Sequence, residues 1–254
     1  MAGFSQVRVG DELDFRGTSN QQANVRGDMI PMQKIFDCTF VTDSDEFDWD
    51  EEEDNGTTIA HSAVDGGALT ITASGTDNDC GELSHTAQWS PASNCWMMAK
   101  VKISQITTTG VVVGLVDVKE NTNDHIAVEM SGAALRNAST TADAAVMIFD
   151  TDATTDVWYC ATSNNGTEGT PVAATGALAP VANTYFYVKV KTDKSGNVTF
   201  YYGTSIDRLT AVGYLPAAIA CASTNLLTPY VGFIARDTTA QVCTVSRIVV
   251  GQDN

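Results

Sequence analysis

Positive charge is scarce in this 254-residue chain: 14 Lys and Arg stand against 31 Asp and Glu, a formal net charge of −17. That shortage argues against nucleic acid as a partner, because affinity for a phosphate backbone comes largely from Lys and Arg. Long apolar runs are missing as well. None approaches the roughly 18 residues that a membrane helix needs, so no membrane partner is expected. No segment keeps a 3.6-residue apolar period, and only 216–221 has the makings of a helical turn. The opening Met1-Ala2-Gly3-Phe4-Ser5-Gln6-Val7-Arg8 lacks the basic and apolar blocks of a secretory signal. The six cysteines (Cys38, Cys80, Cys95, Cys160, Cys221, Cys243) form no C-x-x-C pair, which removes zinc-ribbon and thioredoxin-like readings. Reduced, structural thiols are expected, Cys95 and Cys243 lying in apolar runs.

The charge that is present is unevenly placed. Residues 1–34 hold four basic and four acidic groups and are neutral, so the remaining 220 residues, with 10 basic and 27 acidic groups, carry the whole −17. Nine carboxylates fall within the twelve positions Asp43 to Asp54. Such a run reads first as a solvated, self-repelling surface. The neutral opening, with Gly17-Thr18-Ser19-Asn20-Gln21-Gln22-Ala23-Asn24, is poor in apolar residues and reads as an extended arm, residues 1–35, ahead of a folded body.

The body reads as β. Thirty-two threonines, with many Val and Ile, suit a pleated surface. Ala68-Leu69-Thr70-Ile71-Thr72-Ala73 alternates apolar and polar, as does Ala99-Lys100-Val101-Lys102-Ile103, which puts both lysines on one face. The continuous run Val111–Val116 predicts a central strand buried on both sides. Tyr185–Lys191 and Val198–Tyr202, joined by Asp193-Lys194-Ser195-Gly196-Asn197, predict a hairpin. Ten or more short strands without an internal linker make 36–254 one all-β, two-sheet antiparallel sandwich.

The order of several segments carries a resemblance. Phe36-Asp37-Cys38-Thr39-Phe40 precedes the acidic run with Trp49; then come Asp65-Gly66-Gly67-Ala68-Leu69-Thr70-Ile71-Thr72, Gly75-Thr76-Asp77-Asn78-Asp79, Trp96–Ile103 and Val113-Gly114-Leu115-Val116-Asp117. Val231-Gly232-Phe233-Ile234 and a closing strand ending Val249-Val250-Gly251 follow. Over roughly 36–251 this order resembles the concanavalin A-like lectin/glucanase domain, in the variety found in structural proteins of tailed bacteriophages. The resemblance implies a jelly roll and a non-enzymatic virion component, a capsid decoration protein on the outside of the shell. The major capsid protein and further copies of the chain, in a trimer for example, would be its partners. Phe4, Arg8, Leu13, Phe15, Arg16, Arg26, Ile30 and Lys34 would make the shell or inter-subunit contacts.

The same family binds glycans and hydrolyses glucans, so two further readings stay open. One is a glycan-binding module on a head or tail. The other is a glycoside hydrolase: Glu46-Phe47-Asp48-Trp49-Asp50-Glu51 matches the E-x-D-x-x-E spacing of the glucanases, with Glu46 as nucleophile, Asp48 as helper and Glu51 as acid/base. The match lies in a nine-acid run, where it arises readily by accident, and near the start of the domain rather than on a central strand. No cofactor is required, although Asp77, Asn78 and Asp79 offer the hard oxygens that calcium prefers, in a loop whose composition also suits an ordinary turn. Among the aromatics, Trp96 is expected in the core, with Trp89, Trp158, Tyr201, Tyr202, Tyr214 and Tyr230 as other candidates for core or sugar-stacking positions.

Overall fold

A computed structural model describes residues 7–9, 13–15, 33–40, 49–54, 56–62, 64, 66–119, 125–138, 140–216 and 224–253. Two sheets face each other. The first runs β14 (Thr167–Glu168), β13 (Trp158–Asn164), β12 (Ala144–Asp150), β9 (Thr109–Val116), β19 (Thr228–Ala235), β7 (Cys80–Ser84) and β4 (Asp50–Glu53), with β15 (Val172–Ala173) also beside β13. The second runs β18 (Thr210–Leu215), β17 (Val198–Gly203), β16 (Phe186–Thr192), β8 (Trp96–Ile103), β20 (Gln241–Asp253), β6 (Ala68–Ala73) and β5 (Thr58–Ser62). All pairings within these two sheets are antiparallel, and the whole is a jelly-roll sandwich of the expected class.

The long β20 organises the second sheet. One edge pairs with β8 throughout; the other pairs first with β6 and then, past a bulge at Ser246, with β3 (Gln33–Cys38). β3 takes in Gln33, Lys34 and Ile35, so the sheet begins three residues ahead of the boundary read from composition. The strands β1 (Val7–Val9) and β2 (Leu13–Phe15) pair with each other and, among the described residues, with no other strand.

The alternation of side chains explains the core. Leu69, Ile71 and Ala73 of β6, Val101 and Ile103 of β8, and Val111, Val113 and Leu115 of β9 meet between the sheets. Val112 and Val116 face the other way and are equally buried, so β9 is covered on both sides, as its apolar run predicts. A hairpin of β10 (Val128–Ser131) and β11 (Ala134–Asn137) supplies that outer cover, packing Val128, Met130 and Leu135 over Val112, Val146 and Ile148. Gly114 lets β9 and β12 approach there: a Cβ would lie 2.3 Å from the Ala145 carbonyl oxygen and 2.6 Å from the Val146 Cα.

Trp158 is fully buried against Phe149, Phe186 and Tyr202, and Trp89 and Tyr230 are also core. Trp96 is not. Its position on β8 is shared with Met98, Lys100 and Lys102, and it lies partly exposed on the outer face of the second sheet under the Lys189 ammonium, 4.4 Å from the ring centroid. The alternation that turns Met97 inward turns Trp96 out. The expectation of a core Trp96 is corrected on that ground.

Candidate functional site

Both ends of the outer face of the first sheet are rich in polar groups, and they differ in kind. At one end, Arg236, just past β19, reaches four partners. Its Nε donates to Asp150 Oδ1 at 3.1 Å and its Nη2 to Asp150 Oδ2 at 2.7 Å; Nη2 also reaches Glu129 Oε2 at 3.1 Å, and Nη1 donates to Asn78 Oδ1 at 2.9 Å. Asp152 adds a fourth partner at 3.4 Å. Burial works against the charge, but the hydrogen bonds and charges of Asp150 and the charges of Glu129 and Asp152 outweigh it, holding the guanidinium above its ordinary value. Met130 N donates to Asp150 and Ile126 N to Glu129, so the same carboxylates tie down the hairpin. His125 Nδ1 lies 2.8 Å from Glu129 Oε1.

Asp77, Asn78 and Asp79, the calcium candidates, lie beside this network. The Asn78 oxygen is taken by Arg236, whose guanidinium is the cation at this end of the sheet. Asp79 is buried, and its Oδ2 accepts from Ser74 N and Thr76 N, both at 3.0 Å, and from the Ser74 hydroxyl. Asp77 is exposed. No cluster of three His, Cys, Asp or Glu residues suited to a metal occurs among the described residues.

Between the ends, Tyr230 is fully buried and donates its hydroxyl to Glu82, while Ala127 N donates to Glu82 Oε1 at 2.7 Å. Burial, with the Glu82 carboxylate behind it, pushes the phenol well above its usual value. The pair locks the hairpin to the sheet.

The opposite end opens as a cleft of about 290 Å³, where the end of β7, the start of β4, the exit of β9 and the start of β19 converge. Asp50, Ser84, His85, Thr86, Asp117, Lys119 and Thr228 line it. Lys119 Nζ bridges Asp50 at 3.0 Å, Glu52 at 2.9 Å and the Glu51 carbonyl at 3.2 Å. Burial lowers its proton affinity, and the Glu52 and Asp50 bonds more than restore it, so the ammonium is firmly charged. Asp117 accepts from Val118 N at 3.0 Å and from Ala142 N at 3.2 Å; burial, with Asp143 nearby, raises its carboxyl pKa against the pull of these amides. The Thr228 hydroxyl donates to the His85 carbonyl and accepts from His85 N at 2.8 Å, fixing the turn that carries His85. The His85 ring packs against Phe36 and Trp49 at 4.9 and 5.4 Å.

Of the hydrolase triplet, only Glu51 is among the described residues; Glu46 and Asp48 lie outside them. Glu51 pairs with Leu83, an inward-facing core residue, whereas its neighbour Glu52 pairs with outward-facing Glu82, so alternation puts Glu51 on the opposite face from Lys119. The part of the acidic run at Asp50–Glu53 forms an edge strand with Asp50 and Glu53 exposed, and Asp50 and Glu52 hold Lys119. Of the expected shell contacts, Phe4, Arg16, Arg26 and Ile30 lie outside the described residues, and Arg8, Leu13 and Phe15 are described only as members of β1 and β2. Lys34 belongs to the sandwich: its ammonium donates to Gln88 and sits 4.5 Å from the Trp89 ring centroid. Sequence reasoning did not single out Lys119, Glu129, Asp150 or Arg236. Asp117 entered only as the end of a strand motif.

No protein-family model matches the chain, and no curated protein does. Solved structures do. A protein of unknown function from Shewanella oneidensis MR-1 is 11% identical, covering 93% of this chain and 94% of its own, at a TM-score of 0.56. The potassium-bound carbohydrate recognition domain of Emp46p is 10% identical over 84% of this chain and 93% of its own, TM-score 0.55. The exoplasmic/lumenal domain of VIP36, in a form bound to Ca2+ and Man3GlcNAc, is 9% identical over 80% and 83%, also with a TM-score of 0.55. At these identities the likeness establishes the fold, the concanavalin A-like lectin/glucanase sandwich, and that alone.

Proposed function

We propose that this chain is a non-catalytic carbohydrate-binding module that takes a sugar ring in the cleft between Asp50, Asp117 and Lys119. The observation that carries the reading is the mixed donor and acceptor lining of that cleft. Sugar hydroxyls donate and accept at once, and a lining that offers an ammonium, carboxylates and hydroxyls side by side meets both needs. The volume, about 290 Å³, lies at the lower edge of the roughly 300–1,000 Å³ usual for small-molecule sites, which suits one ring with the rest of a chain outside. Carbohydrate recognition by Emp46p and VIP36 domains of the same fold supports the reading without carrying it.

Binding suits these side chains better than hydrolysis. A glycosidase needs one carboxyl free to give up a proton and a second free to attack. Asp117 spends its oxygens on the amides of Val118 and Ala142, and Asp50 is held by Lys119.

The test is a glycan array probed with the full chain and with Lys119→Ala. Retention of a defined set of glycans, weakened at least about tenfold in the variant while its thermal unfolding stays within a few degrees, is the expected result. Equal retention by both proteins, or none by either, overturns the reading.

A further inference from the structure

The outer face of the second sheet reverses the charge of the molecule. Lys100 and Lys102 project from β8, Lys189 and Lys191 from β16, and Arg247 from β20, five of the 14 cations of a chain whose net charge is −17. The register sets them in rows across the strands: Arg247, Lys100 and Tyr187 in one, Val249, Met98, Lys189 and Tyr201 in the next, and Gly251, Trp96, Lys191, Thr199 and Tyr214 in a third. Aromatic rings interleave with the ammonium groups. Lys100 and Lys102 lie 4.4 and 5.0 Å from the centroid of Tyr185, and Lys189 lies 4.4 Å from Trp96 and 5.9 Å from Tyr201.

Two described carboxylates at this face are engaged. Asp37 takes Arg247 in a two-pronged pair at 2.9 and 2.6 Å, and Asp253, at the end of β20, accepts from Asn94. None of the four lysines has a carboxylate partner among the described residues. Crowding is felt locally: burial and then Lys191 lower the proton affinity of Lys189. A cleft of about 380 Å³ opens in this face among Lys100, Lys102, Tyr185, Tyr187 and Arg247, beside Ser246, the bulged residue of β20.

We propose that this face binds an acidic polysaccharide, a glycan chain bearing carboxylate or sulfate groups, independently of the cleft at Lys119. Charge complementarity selects an anion. Alternate residues on a strand are about 6.6 Å apart and neighbouring strands about 4.8 Å, so the cations form an open lattice with rings between them. A chain that carries a charge on each sugar, with apolar C–H groups between charges, matches that lattice. Duplex DNA carries a charge per about 1.7 Å and would meet the repulsion of the remaining surface. A second copy docking face to face about a two-fold axis would set lysines against lysines.

The experiment measures binding of the full chain to polygalacturonate, dextran sulfate, uncharged dextran and a short DNA duplex at 20 and 200 mM NaCl, reading Trp96 through tryptophan fluorescence alongside calorimetry. The expected result is binding to one or both charged glycans and not to dextran, weakened about tenfold or more at the higher salt. The triple variant Lys100→Gln/Lys102→Gln/Lys189→Gln should lose at least tenfold in affinity, and the hairpin-turn variant Lys194→Gln, off this face, should lose none. Lys119→Ala should also bind charged glycans as the parent does, which separates this face from the sugar cleft. Equal binding of dextran, DNA bound as tightly as the glycans, loss in Lys119→Ala, or an unaffected triple variant overturns the proposal. Far-ultraviolet circular dichroism and thermal unfolding of the triple variant matched to the parent tie its loss to the removed charges.

Discussion

Arg236 and Asp150 form a two-pronged ion pair, 3.1 and 2.7 Å, with the arginine side chain 5% and the aspartate side chain 0% exposed. Asp150 ends a central strand and Arg236 follows its neighbour but one, so the pair closes one end of the first sheet beneath the hairpin that covers it.

Removing the guanidinium therefore leaves two carboxylates stranded, those of Asp150 and Glu129, both buried. Arg236→Met should cost about 3–5 kcal/mol of unfolding free energy, the usual consequence of breaking a buried pair from one side. Urea denaturation measures it. Because Met130 N and Ile126 N donate to those carboxylates, native-state hydrogen exchange should also accelerate at both amides. A loss below about 1 kcal/mol, with unchanged exchange, would show that the pair is dispensable.

The thiols give a second prediction. Cys38, Cys80, Cys95, Cys160 and Cys243 are buried and unpaired. Burial pushes Cys95 and Cys160 up to about 12 and raises the other three as well. At pH 8 a thiol of pKa 12 is ionised in about one molecule in ten thousand, and only the thiolate reacts. Iodoacetamide at pH 8 should leave these five unmodified in the native protein and modify all of them in 6 M guanidinium, as read by peptide mass spectrometry. Rapid native labelling of Cys95, Cys160 or Cys243 would contradict the packing described here.

Much of the sandwich was legible because burial writes a period into strands. Ala68–Ala73 alternates as one buried face demands, Val111–Val116 is apolar throughout because the hairpin covers its second face, and the Tyr185–Tyr202 hairpin pairs as its loop predicts. Three features were not legible. The second strand of the outer hairpin, β11, is short and carries Arg136, so its apolar signal is weak. The acidic segment Asp50–Glu53 has poor strand propensity and becomes a strand through pairing with β7 and the bridging Lys119, 67 residues away from Glu52. The ion network joins positions separated by 86 and 107 residues, and no local pattern records such a contact. The cationic face lay half in view: Lys100 and Lys102 share a face by alternation, but their adjacency to Lys189, Lys191 and Arg247 depends on strand order.

Asp117 supplies a pH test of the cleft. Burial, with Asp143 beside it, raises its carboxyl pKa above the ordinary carboxylate value, so over the interval between the two values the folded chain binds more protons than the unfolded chain. Stability contributed by that proton is fully present below about 3.8 and is lost as pH rises through the raised value. The many other carboxylates add their own pH dependence, which a variant cancels. Asp117→Asn keeps an oxygen to accept from Val118 N and Ala142 N and has no proton to lose. Its stability relative to the parent should therefore increase from pH 4 to pH 7, measured as the difference in urea midpoints at matched ionic strength. A difference that stays flat, or that declines with pH, would mean that Asp117 is ionised as readily in the folded chain as in the unfolded one, and that the cleft is more open to water than its lining implies.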